Sequence, residues 1–217
     1  MFELQDILSV LLLLSALLMT AGKRFRAYLR AFRLQSLLIA GMVGIMGVRE
    51  FRDSGRIDVL IVCLLILVLK VFWIPRLLTR TYSDVGDRTE KDFIWNIPVL
   101  VLAGAALAGF AHFALQGLSG LPEGTGVRIA NAVSLVLIGV FFMISRKKAI
   151  GQIIGFLVVE NGLFTTAVAA TRGMPLIVDL GIFVDLVTAV LIMGVMVFRI
   201  SERFDSINID RLNKLKG

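Results

Sequence analysis

Gly151-Gln-Ile-Ile-Gly-Phe-Leu-Val-Val-Glu160-Asn161-Gly162-Leu-Phe-Thr165-Thr166 is an apolar run with a single carboxylate near its middle. If the run crosses a bilayer, Glu160 sits close to the greatest distance from water that a membrane allows. A charged group at that depth costs at least ~2.5–3.5 kcal/mol on insertion scales, so it is expected to be paired, neutralised or used. The surrounding composition supports the bilayer. The chain has 217 residues, 58% of them hydrophobic and 18% charged, with a mean hydropathy of +0.89. A soluble domain of this size cannot hide that much apolar surface, so an all-α integral membrane protein is predicted.

Spans need ~20 mostly apolar residues each. About seven transmembrane helices are read in chain order, the first three near 4–21, 34–48 and 57–78. The fourth and fifth lie near 94–115 and 128–144, and the last two near 149–171 and 176–198. The acidic start of the chain and the absence of a small-residue cleavage pattern favour a retained first helix over a cleaved signal peptide. Basic residues test the count. Alternate connecting segments hold 17 Lys or Arg on one side and 5 on the other (Arg49, Arg52, Arg56, Arg128 and Arg172), with Lys70 left inside a span. The positive-inside rule then puts the N-terminus outside and the C-terminus in the cytoplasm. The net charge of +7 therefore reports topology, and no nucleic acid partner is expected. The glycine-rich connection 117–126 divides the chain into 1–116, with four helices, and 117–217, with three and a cytoplasmic tail. Small residues in helix two (Ala40, Gly41, Gly44, Gly47), helix four (Ala105, Ala106, Gly109) and helix six (Gly151, Gly155) suit close helix packing in lipid.

Cys63 and His112 are the only cysteine and histidine. They cannot assemble a zinc, iron–sulfur or haem-type ligand set, so neither a metal nor a cofactor is expected in this chain. No P-loop, dinucleotide fingerprint or HExxH occurs. Three ionisable residues fall deep in spans: Lys70, Glu160 and Asp185. Lys70 either snorkels toward the cytoplasmic interface or is kept inside. Pro75 removes a backbone donor just beyond it, which predicts a kinked helix with room for water, and that favours a lysine kept inside. Glu160 is too short to reach an interface, and Asn161 gives it a polar neighbour. Asp179 and Asp185 lie ~120° apart on helix seven at 100° per residue, so they need not face one partner. Asp185 is the stronger candidate. Asp179, near the outer end, His112 at the outer end of helix four, and Asn161 are secondary ones; an interfacial, wetted histidine is the blander reading of His112.

Taken together, Lys70-Val-Phe-Trp-Ile-Pro75, Gln152-Ile-Ile-Gly-Phe-Leu-Val-Val-Glu160-Asn161-Gly162, Gly181-Ile-Phe-Val-Asp185 and the ending Asn208-Ile-Asp-Arg-Leu-Asn-Lys-Leu-Lys-Gly217 resemble component E of hydrogenase-4. That family accompanies group 4 nickel–iron hydrogenases and formate hydrogenlyase complexes. The last three helices look like subunit K of bacterial complex I, which carries one intramembrane acid in each of its last two helices. On that likeness Glu160 and Asp185 take those positions, with Asp where Glu is usual. The resemblance implies a multi-pass protein of a bacterial or archaeal inner membrane. It also implies a place beside antiporter-like subunits in a complex I-like membrane arm, with metals and redox chemistry in other chains. The role implied is a proton (or sodium) relay through Lys70, Glu160 and Asp185. A purely structural subunit is the competing reading. A seven-helix retinal protein is disfavoured because Lys70 is on helix three, and a stand-alone carrier because repeated halves with broken helices are absent.

Overall fold

The computed structural model describes residues 4–22, 24–83, 96–117, 124–146, 149–171 and 181, and these are helical throughout apart from short turns. The elements are α1 (Leu4–Thr20), α2 (Phe25–Ser54), α3 (Asp58–Ile66), a π-helix (Leu67–Trp73), α4 (Ile74–Ser83), α5 (Ile97–Leu115), α6 (Thr125–Ser145) and α7 (Ala149–Thr171). Among the described residues five helical rods are long and apolar enough to cross a membrane; α1 is apolar but shorter. The expected seventh span at 176–198 lies outside the described residues, as does most of the 117–126 connection.

The burial pattern is that of a protein in lipid. Along α1 the inward residues include Asp6, Ser9 and Ser15, while Leu4, Ile7, Leu11, Leu14 and Leu18 face out. Large apolar side chains facing outward, with polar ones turned inward, reverse the soluble pattern. The hydroxyls cause no deficit, because Ser9 and Ser15 donate to the carbonyls of Asp6 and Leu12 on their own helix.

α2 begins nine residues before the expected span and runs for 30 residues. The basic stretch read as a connecting segment is the helix continuing beyond the apolar zone. Arginine is a good helix former, and its long side chain keeps its charge in water. The rod stops at Gly55, whose left-handed backbone (φ 70°) lets its N–H bond Phe51 O.

Packing interleaves the two halves of the chain: α1 lies against α2, α5 and α6, and α2 against α3 and α7. Phe164 and Val168 of α7 join Leu12 of α1, Ile39 and Val43 of α2, and Val62 and Ile66 of α3 in one apolar cluster. α6 and α7 approach to backbone contact. A Cβ on Gly162 would stand 2.8 Å from Val136 N, and one on Gly155 would stand 3.0 Å from Met143 N. Glycine there permits an approach that any other residue blocks. Glu160 and Gly162 are ~160° apart around α7, so the glycine face clamps α6 while the acid looks the other way.

Candidate functional site: a buried ion pair and its amide partners

The rod from Asp58 to Arg80 changes its winding at the lysine. Leu67 N–H still reaches both Cys63 O and Leu64 O, whereas Ile74 N–H bonds Leu69 O, five residues back. Pro75 follows directly. The disturbance expected beside Lys70 takes the form of a π-helical segment, which absorbs the missing proline donor and re-aims the side chains around it. Lys70 and Val71 point into the bundle; Val68, Phe72 and Trp73 point out.

Lys70 is therefore kept inside. Its Nζ lies 2.8 Å from Glu160 Oε1, and the two side chains are 1% and 2% exposed. Nζ also donates to Asn161 Oδ1 at 3.2 Å, and it stands 5.5 Å from the ring centre of Phe164, one turn beyond Glu160. Asn161 Nδ2 in turn donates to Gln35 Oε1 of α2 at 3.4 Å. A polar string thus runs from α2 through α7 to the π-helix. All four of its side chains are buried, and Gln35 Nε2 has no hydrogen-bond partner among the described residues. Glu160 sits midway along its apolar span (Ile150–Ala170) and Lys70 midway along its own (Asp58–Arg80). Each charge is compensated by the other, which is what makes the depth tolerable for both.

The sequence candidates sort clearly. Lys70, Glu160 and Asn161 come together. Asp179 and Asp185 lie outside the described residues. His112 is on α5 and partly buried, its Nδ1 3.0 Å from Ala108 O one turn back; no contact joins it to the string. Gln35 was missed, being an uncharged residue near the start of an apolar run, where nothing in composition marks it.

Two arginines counted only for topology also turn inward. Arg128 donates to Gln5 Oε1 at 2.5 Å and stands 3.5 Å from Asp6 Oδ1, joining the starts of α1 and α6. Arg146, 2% exposed, donates to Thr20 O at 3.1 Å and lies over the rings of Tyr28 and Phe142, at 4.9 and 4.2 Å. They tie opposite ends of the bundle, as the alternating span directions require.

Residues 128–217 match the family model for NADH-ubiquinone/plastoquinone oxidoreductase chain 4L. An uncharacterized protein of Mycobacterium tuberculosis is 31% identical over 94% of this chain and 92% of its own length. Hydrogenase-4 component E of Escherichia coli is 23% identical over 97% of this chain and 96% of its own, and the Shigella flexneri protein of that name matches equally. No solved structure matches the chain significantly. Over nearly its whole length the chain is a homologue of hydrogenase-4 component E, and its residues 128–217 match the chain 4L family model.

Proposed function

We propose that the chain is a seven-span membrane-arm subunit of a hydrogenase-4-type, complex I-like assembly, and that it takes part in moving protons (or sodium ions) coupled to redox chemistry in other subunits. The reading places 117–217 as a three-helix module with its tail in the cytoplasm and the N-terminus outside. It sets the chain beside antiporter-like membrane subunits, with no nucleic acid partner and no cofactor of its own.

The observation that carries it is the ion pair of Lys70 and Glu160 at mid-span, buried and 2.8 Å apart. In low dielectric, an ammonium–carboxylate pair and its neutral amine–acid form are closer in free energy than in water, because burial disfavours the charges that mutual attraction favours. A charge arriving nearby tips that balance, so the pair is suited to hand a proton on. Asp185 is proposed as the next acceptor, and Asn161 holds the ammonium in place.

The test is Glu160→Gln in the assembled complex reconstituted into vesicles, with ion transport measured per complex. Gln keeps an oxygen for Lys70 Nζ but cannot carry a proton. Transport per assembled complex is expected to fall to background while redox turnover by the peripheral subunits persists. Normal transport per complex would remove the relay role.

The same closed pair also suits a scaffold that never conducts, in which a lone buried charge disrupts packing. That reading requires the opposite result: reduced yield of complex with normal transport in what does assemble.

A further inference from the structure

On the side of the π-helix away from Lys70, a cavity of about 610 Å³ opens between α2 and the rod from α3 to α4. Its lining is Val68, Phe72, Trp73, Arg76, Thr79, Arg80 and Arg33. The order of these residues along the rod is the informative feature. Val68, Phe72 and Trp73 come first, toward mid-span, and are all exposed. Arg76 and Arg80 follow, one and two turns further toward the end. Arg33 of α2 meets them from the facing helix. The hydroxyl of Thr79 is turned back onto Pro75 O at 2.7 Å, so the polar character of the groove is supplied by the guanidinium groups. Among the described residues no carboxylate lines it.

We propose that this groove binds one anionic phospholipid of the cytoplasmic leaflet. Its phosphate would lie between Arg33 and Arg76, with the acyl chains along Phe72, Trp73 and Val68. The leaflet assignment rests on the orientation given under Proposed function. The charge complementarity is with a phosphate, since guanidinium groups from two helices present donors that suit phosphate oxygens. The apolar floor continues from the arginines toward mid-span, as acyl chains attached to that phosphate require. A free anion has no use for such a floor. An acidic protein segment would need donors spread along its length, whereas here they are gathered at one end. Basic pockets between spans on the cytoplasmic side are the expected form of such a site.

The experiment is native mass spectrometry of the full-length chain in mild detergent, offered phosphatidylglycerol, phosphatidylcholine or inorganic phosphate in turn. The chain is expected to retain one phosphatidylglycerol at least tenfold better than phosphatidylcholine. Retention should fall by a similar factor in the double variant Arg33→Gln/Arg76→Gln, with helix content unchanged. Phe72→Ala, which keeps both arginines, should weaken retention of the same lipid. Equal retention of phosphatidylcholine, full retention by the double variant, or displacement of the lipid by millimolar phosphate would each overturn the proposal. So would a photo-crosslinker at position 79 in native membranes that captures a protein chain in place of lipid.

Discussion

Lys70 Nζ and Glu160 Oε1 lie 2.8 Å apart across the junction of the π-helix and α7, and neither side chain reaches the surface. Removing one charge strands the other in a medium that cannot solvate it. That costs about 3–5 kcal/mol for a buried pair, less where the survivor neutralises itself by gaining or losing a proton. Lys70→Met and Glu160→Gln should therefore each lower stability in detergent, and the double variant should lose less than the sum of the two. A coupling energy of at least ~1 kcal/mol is expected from thermal or denaturant unfolding of the four proteins. Simple additivity would mean that the two groups do not sense one another.

Asn161 and Gln35 are bonded to each other but are not equivalent. Asn161 supplies an oxygen to a buried ammonium at 3.2 Å, and a bond to a charged group contributes about 1.5–3 kcal/mol. Gln35 accepts one long bond of 3.4 Å and has an unmet buried donor of its own. Asn161→Leu should cost about 2 kcal/mol and slow ion transport; Gln35→Leu should stay within about 1 kcal/mol of the parent. Unfolding midpoints for the pair of variants, measured side by side, check the order. A reversal would mean that the string is anchored at α2 and not at Lys70.

What could be read from residues alone follows from how far each residue departs from its surroundings. Glu160 and Lys70 are charges within apolar runs, so their burial was legible, and Pro75 marked where the helix departs from regular winding. That the two side chains meet was not, because the register of α7 against the π-helix is set by packing. The clamp that sets α7 on α6 rests on Gly139 and Gly162 as well as Gly155, and only Gly155 stood out by spacing. Gly109 stood out too, yet a Cβ there meets nothing within 4 Å. Arg128 and Arg146 were legible as topology markers because the rule that counts them concerns loops. Their inward turn depends on Asp6, Thr20 and Tyr28, which lie more than a hundred residues away in sequence. The long α2 was missed because hydropathy reports the apolar part of a helix and is silent about its basic extension.

The glycine clamp makes a contrast that can be measured. Gly162→Ala would put a methyl group 2.8 Å from Val136 N, so α6 and α7 must separate, at a cost of about 1–3 kcal/mol for forced overpacking. Because Glu160 rides on α7, the same shift should alter ion transport. Gly109→Ala has open space and trades glycine for a better helix former, so its effect should be neutral or stabilising by up to ~1 kcal/mol. Equal destabilisation by both substitutions would show that helix propensity, and not the α6–α7 contact, governs the response.

Arg146 and Arg56 test how burial sets the worth of an arginine. Arg56 bonds Asp58 Oδ2 at 2.9 Å, with the two side chains 44% and 47% exposed. A solvated pair of that kind contributes about 0–1 kcal/mol. Arg146 is held between Tyr28 and Phe142 and bonds the end of α1 through Thr20 O. Tyr28 is itself fixed by its hydroxyl donating to Gly22 O at 3.0 Å and by edge contact with Phe142 at 5.1 Å. Arg146→Gln removes two cation–ring contacts of about 1–2 kcal/mol each in desolvated surroundings, together with one charge-assisted bond. It should therefore cost about 3 kcal/mol and free the end of α1 from α6. Arg56→Gln should be nearly silent and its small effect should vanish at high salt, where exposed charges are screened. Unfolding of both variants at low and high ionic strength separates the two cases. A large, salt-insensitive loss is expected only at Arg146, and a salt-sensitive loss there would mean that the guanidinium is reached by water.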